Sequence, residues 1–334
     1  MKKLMIIAAI SLALILAGCS NGNDARIDTK PFVGGTNGIE IEFIEGSPPP
    51  EVFDSRSFPF DVVIKTENKG EYDVLKEDVA ITLKGIYPPD FNVQDTTLLS
   101  QIPEEDLDGA YIDSDGNIIP GVVTFVNTFP ELSYQPTLAG NNPFTIRAEV
   151  CYKYGVQAQA DVCYLEDLTK LEDKVCEVNE KKAIQASSSP IQIENFEQNI
   201  AGTDKITFSF EIVHRGAGAI SMPDVASERC STDLAMKNKV KIRIDSGVAG
   251  LRCSGLTTGA GDNEDQSDSL ETGTVTLFGG KRMVRCTQDA NVNTDYEKKV
   301  NILVQYDYKE NVDTNLLVKH MTDGTSNIGD DNVP

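Results

Sequence analysis

Few side chains in this sequence are equipped for chemistry, and they fall into three groups. The first is a pair of histidines, His214 and His320. A hydrolytic triad needs an imidazole oriented by a carboxylate beside a nucleophile, and neither histidine has a G-x-S-x-G or similar nucleophile context around it. The second group is six cysteines in the body of the chain: Cys151, Cys163, Cys176, Cys230, Cys253 and Cys286. None makes the C-x-x-C or C-x-x-H pair of a structural zinc site, and an even number in an exported chain suggests three disulfides instead. Three lie at 151–176 and three at 230–286. The pairing stays open, but full pairing requires at least one bridge between the two groups.

The third group is acidic. Asp113 and Asp115, with Gly116 and Asn117, begin like a calcium loop, but the twelfth position from Asp113 is Thr124 where such a loop has glutamate. An exposed β-turn competes with that reading. Asp262, Glu264, Asp265 and Asp268 form a second cluster, which without metal would repel and remain a mobile acidic loop. Calcium is therefore the one cofactor the sequence admits, since no GxGxxG or P-loop occurs.

A seventh cysteine stands apart. Lys2 and Lys3 precede an apolar run from Leu4 to Leu16, followed by Ala17, Gly18 and Cys19. This order reads as a secretory signal, and the run falls short of the roughly 20 residues that span a bilayer. The tetrad Leu16-Ala17-Gly18-Cys19 resembles the lipobox of prokaryotic lipoproteins. The resemblance implies that residues 1–18 are removed and that Cys19 becomes a lipidated N-terminus holding the protein to a membrane. Residues 19–37, polar and glycine-bearing, then read as a flexible tether.

Formal net charge is −22 over 334 residues, and about −24 once Lys2 and Lys3 are removed. Nucleic acid and anionic headgroups would repel such a chain, so nucleic acid is excluded as a partner.

The elements that must position these groups are strands. Alternating apolar runs at Ile39–Phe43, Phe58–Thr66, Val79–Leu83, Val122–Val126 and Phe144–Tyr154 are separated by glycine, proline and Asn/Asp turns. Tyr111–Ile112 and Ile118–Ile119 flank a hairpin turn, and residues 97–108 suit a short helix capped near Ser100. The second half repeats the pattern at Ile191–Phe196, Lys205–Val213, Lys239–Ile244, Gly273–Phe278, Arg282–Arg285, Val300–Tyr308 and Thr314–Lys319. FPFDVVIKTENKG matches ITFSFEIVHRGAG, VAITLKG matches VKIRIDSG, and Val150–Tyr154 falls on Val304–Tyr308. Each Tyr-x-Tyr puts two rings on one face, where core packing outweighs an aromatic ligand platform. An apolar pair ten residues further on in each repeat (Val162-Cys163, Leu317-Val318) reads as a second hairpin strand. Leu165, Leu168, Leu171 and Val175 are spaced for one helical face in the stretch between the repeats, but Cys176 suggests a segment tied down by a disulfide.

Many short alternating strands predict a mainly β fold of two tandem antiparallel sandwiches, at 38–163 and 188–320. A cysteine-containing linker at 164–187 and a disordered tail at 321–334 complete the division. At the level of pattern, residues 38–320 look like the immunoglobulin-like surface lipoproteins of prokaryotes, archaea among them. The strand ending in Asn-Lys-Gly is similar to that of CARDB-like modules. The resemblance implies an exported protein, lipid-anchored at the outer face of the membrane, and brings no catalytic residues. The expected function is therefore non-enzymatic: adhesion, or a structural or assembly role toward envelope proteins or copies of itself. A lipoprotein that binds a glycan or solute, with or without calcium, is the second reading. It requires a concave apolar site, and a chain with no tryptophan is a poor fit to sugar stacking.

Overall fold

The computed structural model describes residues 30–321, apart from 57, 171, 224–228 and 258–266. The signal, Cys19, most of the tether, the tail from 322, and Asp262, Glu264 and Asp265 lie outside these residues.

Most of the alternating runs form strands whose apolar positions make one buried face. The first half carries β1 (Ile39–Phe43), β2 (Glu51–Phe53), β3 (Ile64–Asn68), β4 (Val79–Lys84) and β5 (Ser100–Gln101). It continues with β6 (Tyr111–Ile112), β7 (Ile118–Ile119), β8 (Val123–Val126) and the 23-residue β9 (Asn142–Tyr164). The second half carries β10 (Glu180–Lys181), β11 (Ile184–Ala186), β12 (Ile191–Ile200), β13 (Lys205–His214) and β14 (Ala219–Ser221). After these come β15 (Lys239–Asp245), β16 (Arg252–Ser254), β17 (Leu270–Thr276), β18 (Lys281–Asp289) and the 24-residue β19 (Tyr296–Lys319).

The fold is mainly β, with antiparallel sheets layered as a sandwich. Strands β1, β3 and β8 make one covering sheet, and β10, β12, β13, β18 and β16 make another. Beneath them runs a nine-stranded sheet centred on β9 and β19, which pair without a slip from Tyr164↔Tyr296 to Asn142↔Val318. Strand β2 alone runs parallel to its neighbour among the described residues, alongside Leu317–Lys319.

This central sheet belongs to both halves. The end of β9, where Val162 and Tyr164 are buried, reaches under the second covering sheet. There Gln198 clasps the backbone of Cys163, its Nε2 donating to the carbonyl (2.7 Å) and its Oε1 accepting from the amide (3.0 Å). The far end of β19, with Leu316 and Val318 buried, lies in the first half beside β2. One continuous core results, and contacts gather the chain from Phe32 onward into one compact unit.

Three local expectations are corrected. The second hairpin strand in each repeat does not exist, because alternation continues through Gly155-Val156-Gln157-Ala158 with nothing to turn the chain, and one long strand forms. The same holds for β19, which absorbs Thr314–Lys319. The helix at 97–108 is a single 3₁₀ turn at Thr96–Leu99, capped by Asp95, after which Ser100 and Gln101 pair with β4. Between the repeats the leucine spacing gives no helix. Leu165 and Leu168 are buried, but Val175 is exposed, and a Cys163–Cys176 bridge folds the segment into a loop.

All six body cysteines are paired: Cys151–Cys230, Cys163–Cys176 and Cys253–Cys286. Cys151–Cys230 is the bridge between the two groups that parity requires.

Candidate functional site

The two Tyr-x-Tyr motifs meet at the centre of the molecule. Register sets Tyr152 opposite Tyr308 and Tyr154 opposite Tyr306, and the four rings pack edge to face with centroids 5.5–6.5 Å apart. All four are buried, so each phenol needs a hydrogen-bonding partner. Tyr152 accepts from Ile39 N (3.2 Å), while Tyr306 accepts from Ile191 N (3.3 Å) and meets Ser189 Oγ at 2.5 Å. Tyr154 accepts from Tyr72 N (3.5 Å) and donates to Asn68 Oδ1 (3.0 Å). Tyr308 accepts from Gly218 N (2.7 Å) and meets His214 Nε2 at 3.3 Å.

These contacts repeat with two-fold correspondence. The amide leading β1 binds Tyr152 as the amide leading β12 binds Tyr306. Asn68 and Tyr72 serve Tyr154 as His214 and Gly218 serve Tyr308. Sequence matching alone sets Gly70 on Gly218, but the hydroxyl contacts set it on Gly216. Burial pushes all four phenols up, Tyr308 to about 12, so they act as fixed hydrogen-bonding groups rather than acids. Burial also pushes the His214 imidazole down, favouring its neutral ring. The quartet is core, not an open aromatic platform.

Beside the quartet opens a cavity of about 410 Å³, between β1, the turn at Gly216–Ala217, and β19 at Glu310–Val312. Glu40 and Lys69 pair at its wall. Glu310 is half-buried and 3.2 Å from the Tyr152 hydroxyl, and burial pushes its carboxyl up. No cation lies within ion-pair distance of Glu310 among the described residues. A second cavity, of about 320 Å³, is lined by Phe32, Gln157, Arg243 and Leu303.

His320 has a partner that sequence reading did not find. Its Nδ1 donates to Asp54 Oδ2 (2.8 Å), and Asp54 is fully buried while also accepting from Met321 N (3.0 Å) and Leu138 N (2.8 Å). The sequence signal was weak: a lone aspartate after β2, separated from His320 by most of the chain. The pair supplies an oriented imidazole, yet no serine, threonine or cysteine side chain is hydrogen-bonded to His320 among the described residues. It latches the end of β19 to the loop after β2. The two amides and His320 hold the Asp54 carboxyl down at about 2 against an ordinary 3.8. Its stabilising effect is therefore complete above the unfolded value and is lost as pH falls from about 4 toward 2. Replacing Asp54 with asparagine should lower the melting temperature at pH 7 and flatten its fall between pH 4 and 2. Parallel melting curves for both proteins across that window would refute this role.

The calcium candidates are placed as follows. Asp113 sits in the β6–β7 turn, where its Oδ1 accepts from Asp115 N (2.9 Å) and Asn117 N (2.8 Å). Asp115 contributes its backbone there. Asp268 lies against Arg252 at 3.5 Å. Asp262, Glu264 and Asp265 lie outside the described residues, and among the described residues no group of three His, Cys, Asp or Glu is arranged to hold a metal.

No known protein-family model matches the chain, and no curated protein matches it. Solved structures give only faint likenesses. The secreted serine protease VesC from Vibrio cholerae aligns at 10% identity over 80% of this chain, with a TM-score of 0.17. The chain spans half the length of that protease chain. The serine-rich repeat adhesion glycoprotein Srr1 from Streptococcus agalactiae aligns at 13% identity over 88% of this chain and 98% of its own, with a TM-score of 0.15. At these scores neither carries an argument about this protein.

Proposed function

We propose that this chain is an exported, lipid-anchored component of a prokaryotic cell envelope that acts without catalysis, in adhesion or assembly. The order of basic start, apolar run and Leu16-Ala17-Gly18-Cys19 carries this reading. Three disulfides agree with it, since such bonds persist outside the reducing cytosol. No helix among the described residues is long and apolar enough to cross a membrane, and in this reading lipid on Cys19 supplies the attachment. From Cys19 to Phe32 an extended chain reaches at most about 45 Å, which keeps the body close to the bilayer.

Two experiments on cells test this. Cys19→Ser should move the protein from membrane to soluble fractions, and retention on membranes would remove the anchor from the argument. Cross-linking on intact cells should capture either further copies or another envelope protein. A solute-binding lipoprotein is the second reading, favoured by the cavity at Glu310. Capture of lipid alone would move that reading ahead.

A further inference from the structure

The two halves correspond in their central strands, β1 with β12, β3 with β13, β4 with β15 and β9 with β19, and differ in what flanks β9 and β19. Aligning Tyr152 with Tyr306 places Val156 on Glu310, Gln157 on Asn311 and Ala158 on Val312. In the second half this stretch of β9 is flanked by a strand: β11 pairs Ile184↔Ala160, Gln185↔Gln159 and Ala186↔Ala158. Ser187 continues the ladder, donating its amide to Gln157 O (2.8 Å) and receiving Gln157 N on its hydroxyl (2.9 Å). Strand β11 then leads through Ser188–Pro190 into β12.

The counterpart of β12 is β1, and the segment leading into it is Phe32–Asn37. That segment does not run along β19. Glu71 draws it away, accepting from Val33 N and Gly34 N (both 2.7 Å). Gly35 O is then held by Gln192 Nε2 (2.7 Å) and Ser189 N (3.3 Å) in the other half. On the side away from β9, strand β19 pairs with β14 up to Lys309 and with β2 from Leu317. Between them, no strand pairs with Glu310–Leu316 on this side among the described residues, and β1 only faces its start across the cavity. The 410 Å³ cavity lies along the start of this gap, and its other wall is β1, which pairs only with β3.

An interior flank with unused backbone donors and acceptors is a template for a further strand. We propose that the flank of β19 from Glu310 to Leu316 is an acceptor for an extended segment of another protein that carries a lysine or arginine opposite Glu310. The preference for a base follows from the correspondence. Where the corresponding Val156 is fully buried, the open flank offers a half-buried carboxylate with no cation within ion-pair distance among the described residues, the nearby Lys69 being paired with Glu40 at the cavity wall. Covering that carboxylate further without a counter-charge would be costly. A second copy of this chain, at −22, is a poor source of the base. The inference rests on the assembly reading for its biological role.

The test uses the full mature chain and two synthetic peptides, IQASKSP and IQASQSP, patterned on the segment that fills the corresponding place, with the changed residue at the Ser188 position opposite Val156 and hence opposite Glu310. Millimolar IQASKSP should slow hydrogen exchange at the amides of Asn311–Asn315 that point away from β9. It should also bind about tenfold more tightly than IQASQSP, the ratio expected of one charge-assisted pair. In Glu310→Gln, with an unchanged melting curve, that preference should vanish. Absence of protection, or a preference that survives Glu310→Gln, would overturn the proposal. So would protection that rises with protein concentration together with a dimer mass, because the occupant would then be a second copy. Failure here would leave the cross-linking result on cells standing, and the reverse also holds.

Discussion

Replacing Gly70 with alanine should destabilise the protein by more than about 3 kcal/mol, at the upper end of the cost of overpacking. A β-carbon there would lie 2.0 Å from the Tyr154 hydroxyl, 2.5 Å from Asn37 O and 2.8 Å from Ser188 O. Two of these three atoms are backbone, one from each half, so the crowding has no flexible side chain to absorb it. Gly216 is the corresponding position, with its would-be β-carbon 2.1 Å from the Tyr308 hydroxyl. Its other close neighbours are Pro190 Cβ at 3.0 Å and the same tyrosine's Cζ at 3.1 Å. That difference yields a sharper test. Tyr308→Phe removes the offending atom, so the Gly216→Ala/Tyr308→Phe double variant should be markedly more stable than the two single losses added together. Tyr154→Phe should rescue Gly70→Ala far less, because the two carbonyl oxygens remain. Equal rescue at both sites, measured by urea denaturation, would mean that the hydroxyls do not set the glycine requirement.

The strands were legible because each alternating run buries one face, and the tyrosines because a Tyr-x-Tyr pair at strand spacing must share a face. Both properties are local. The ends of β9 and β19 were not legible, since nothing in Val156–Val162 distinguishes one long strand from the arm of a hairpin. Only the partner strand, more than a hundred residues away, makes the difference. The cysteines behaved in the same way: parity required a bridge between groups, but only the fold selects Cys151 and Cys230. At the candidate site, Glu310 was invisible because acidic residues are common throughout this chain. It stands out only where the repeat places it on the buried Val156. Asp54 escaped for a related reason, as its partner His320 reaches it only through the parallel pairing of β2 with the end of β19.

Of the three disulfides, loss of Cys151–Cys230 should cost the most. It joins residues 79 apart, against 33 for Cys253–Cys286 and 13 for Cys163–Cys176. In the chain-entropy model those loops correspond to about 4.5, 3.7 and 2.9 kcal/mol. Length is not the only reason for the ranking. Cys163–Cys176 and Cys253–Cys286 each tie neighbouring segments of one region, whereas Cys230 anchors the segment before β15 onto β9 of the other half. Cys230 N donates to the buried Asp307 carboxylate (2.9 Å), one residue from the quartet. Freeing Cys230 therefore also loosens a contact that a buried carboxylate needs. Replacing both Cys151 and Cys230 with alanine should lower stability by about 4 kcal/mol or more, with a single cooperative transition retained because the core is continuous across the halves. The Cys163/Cys176 pair of replacements should cost about 3 kcal/mol or less. If the Cys151/Cys230 variant instead unfolds in two separate transitions, the long β9–β19 pairing does not couple the halves, and the molecule behaves as two sandwiches joined chiefly by that bridge.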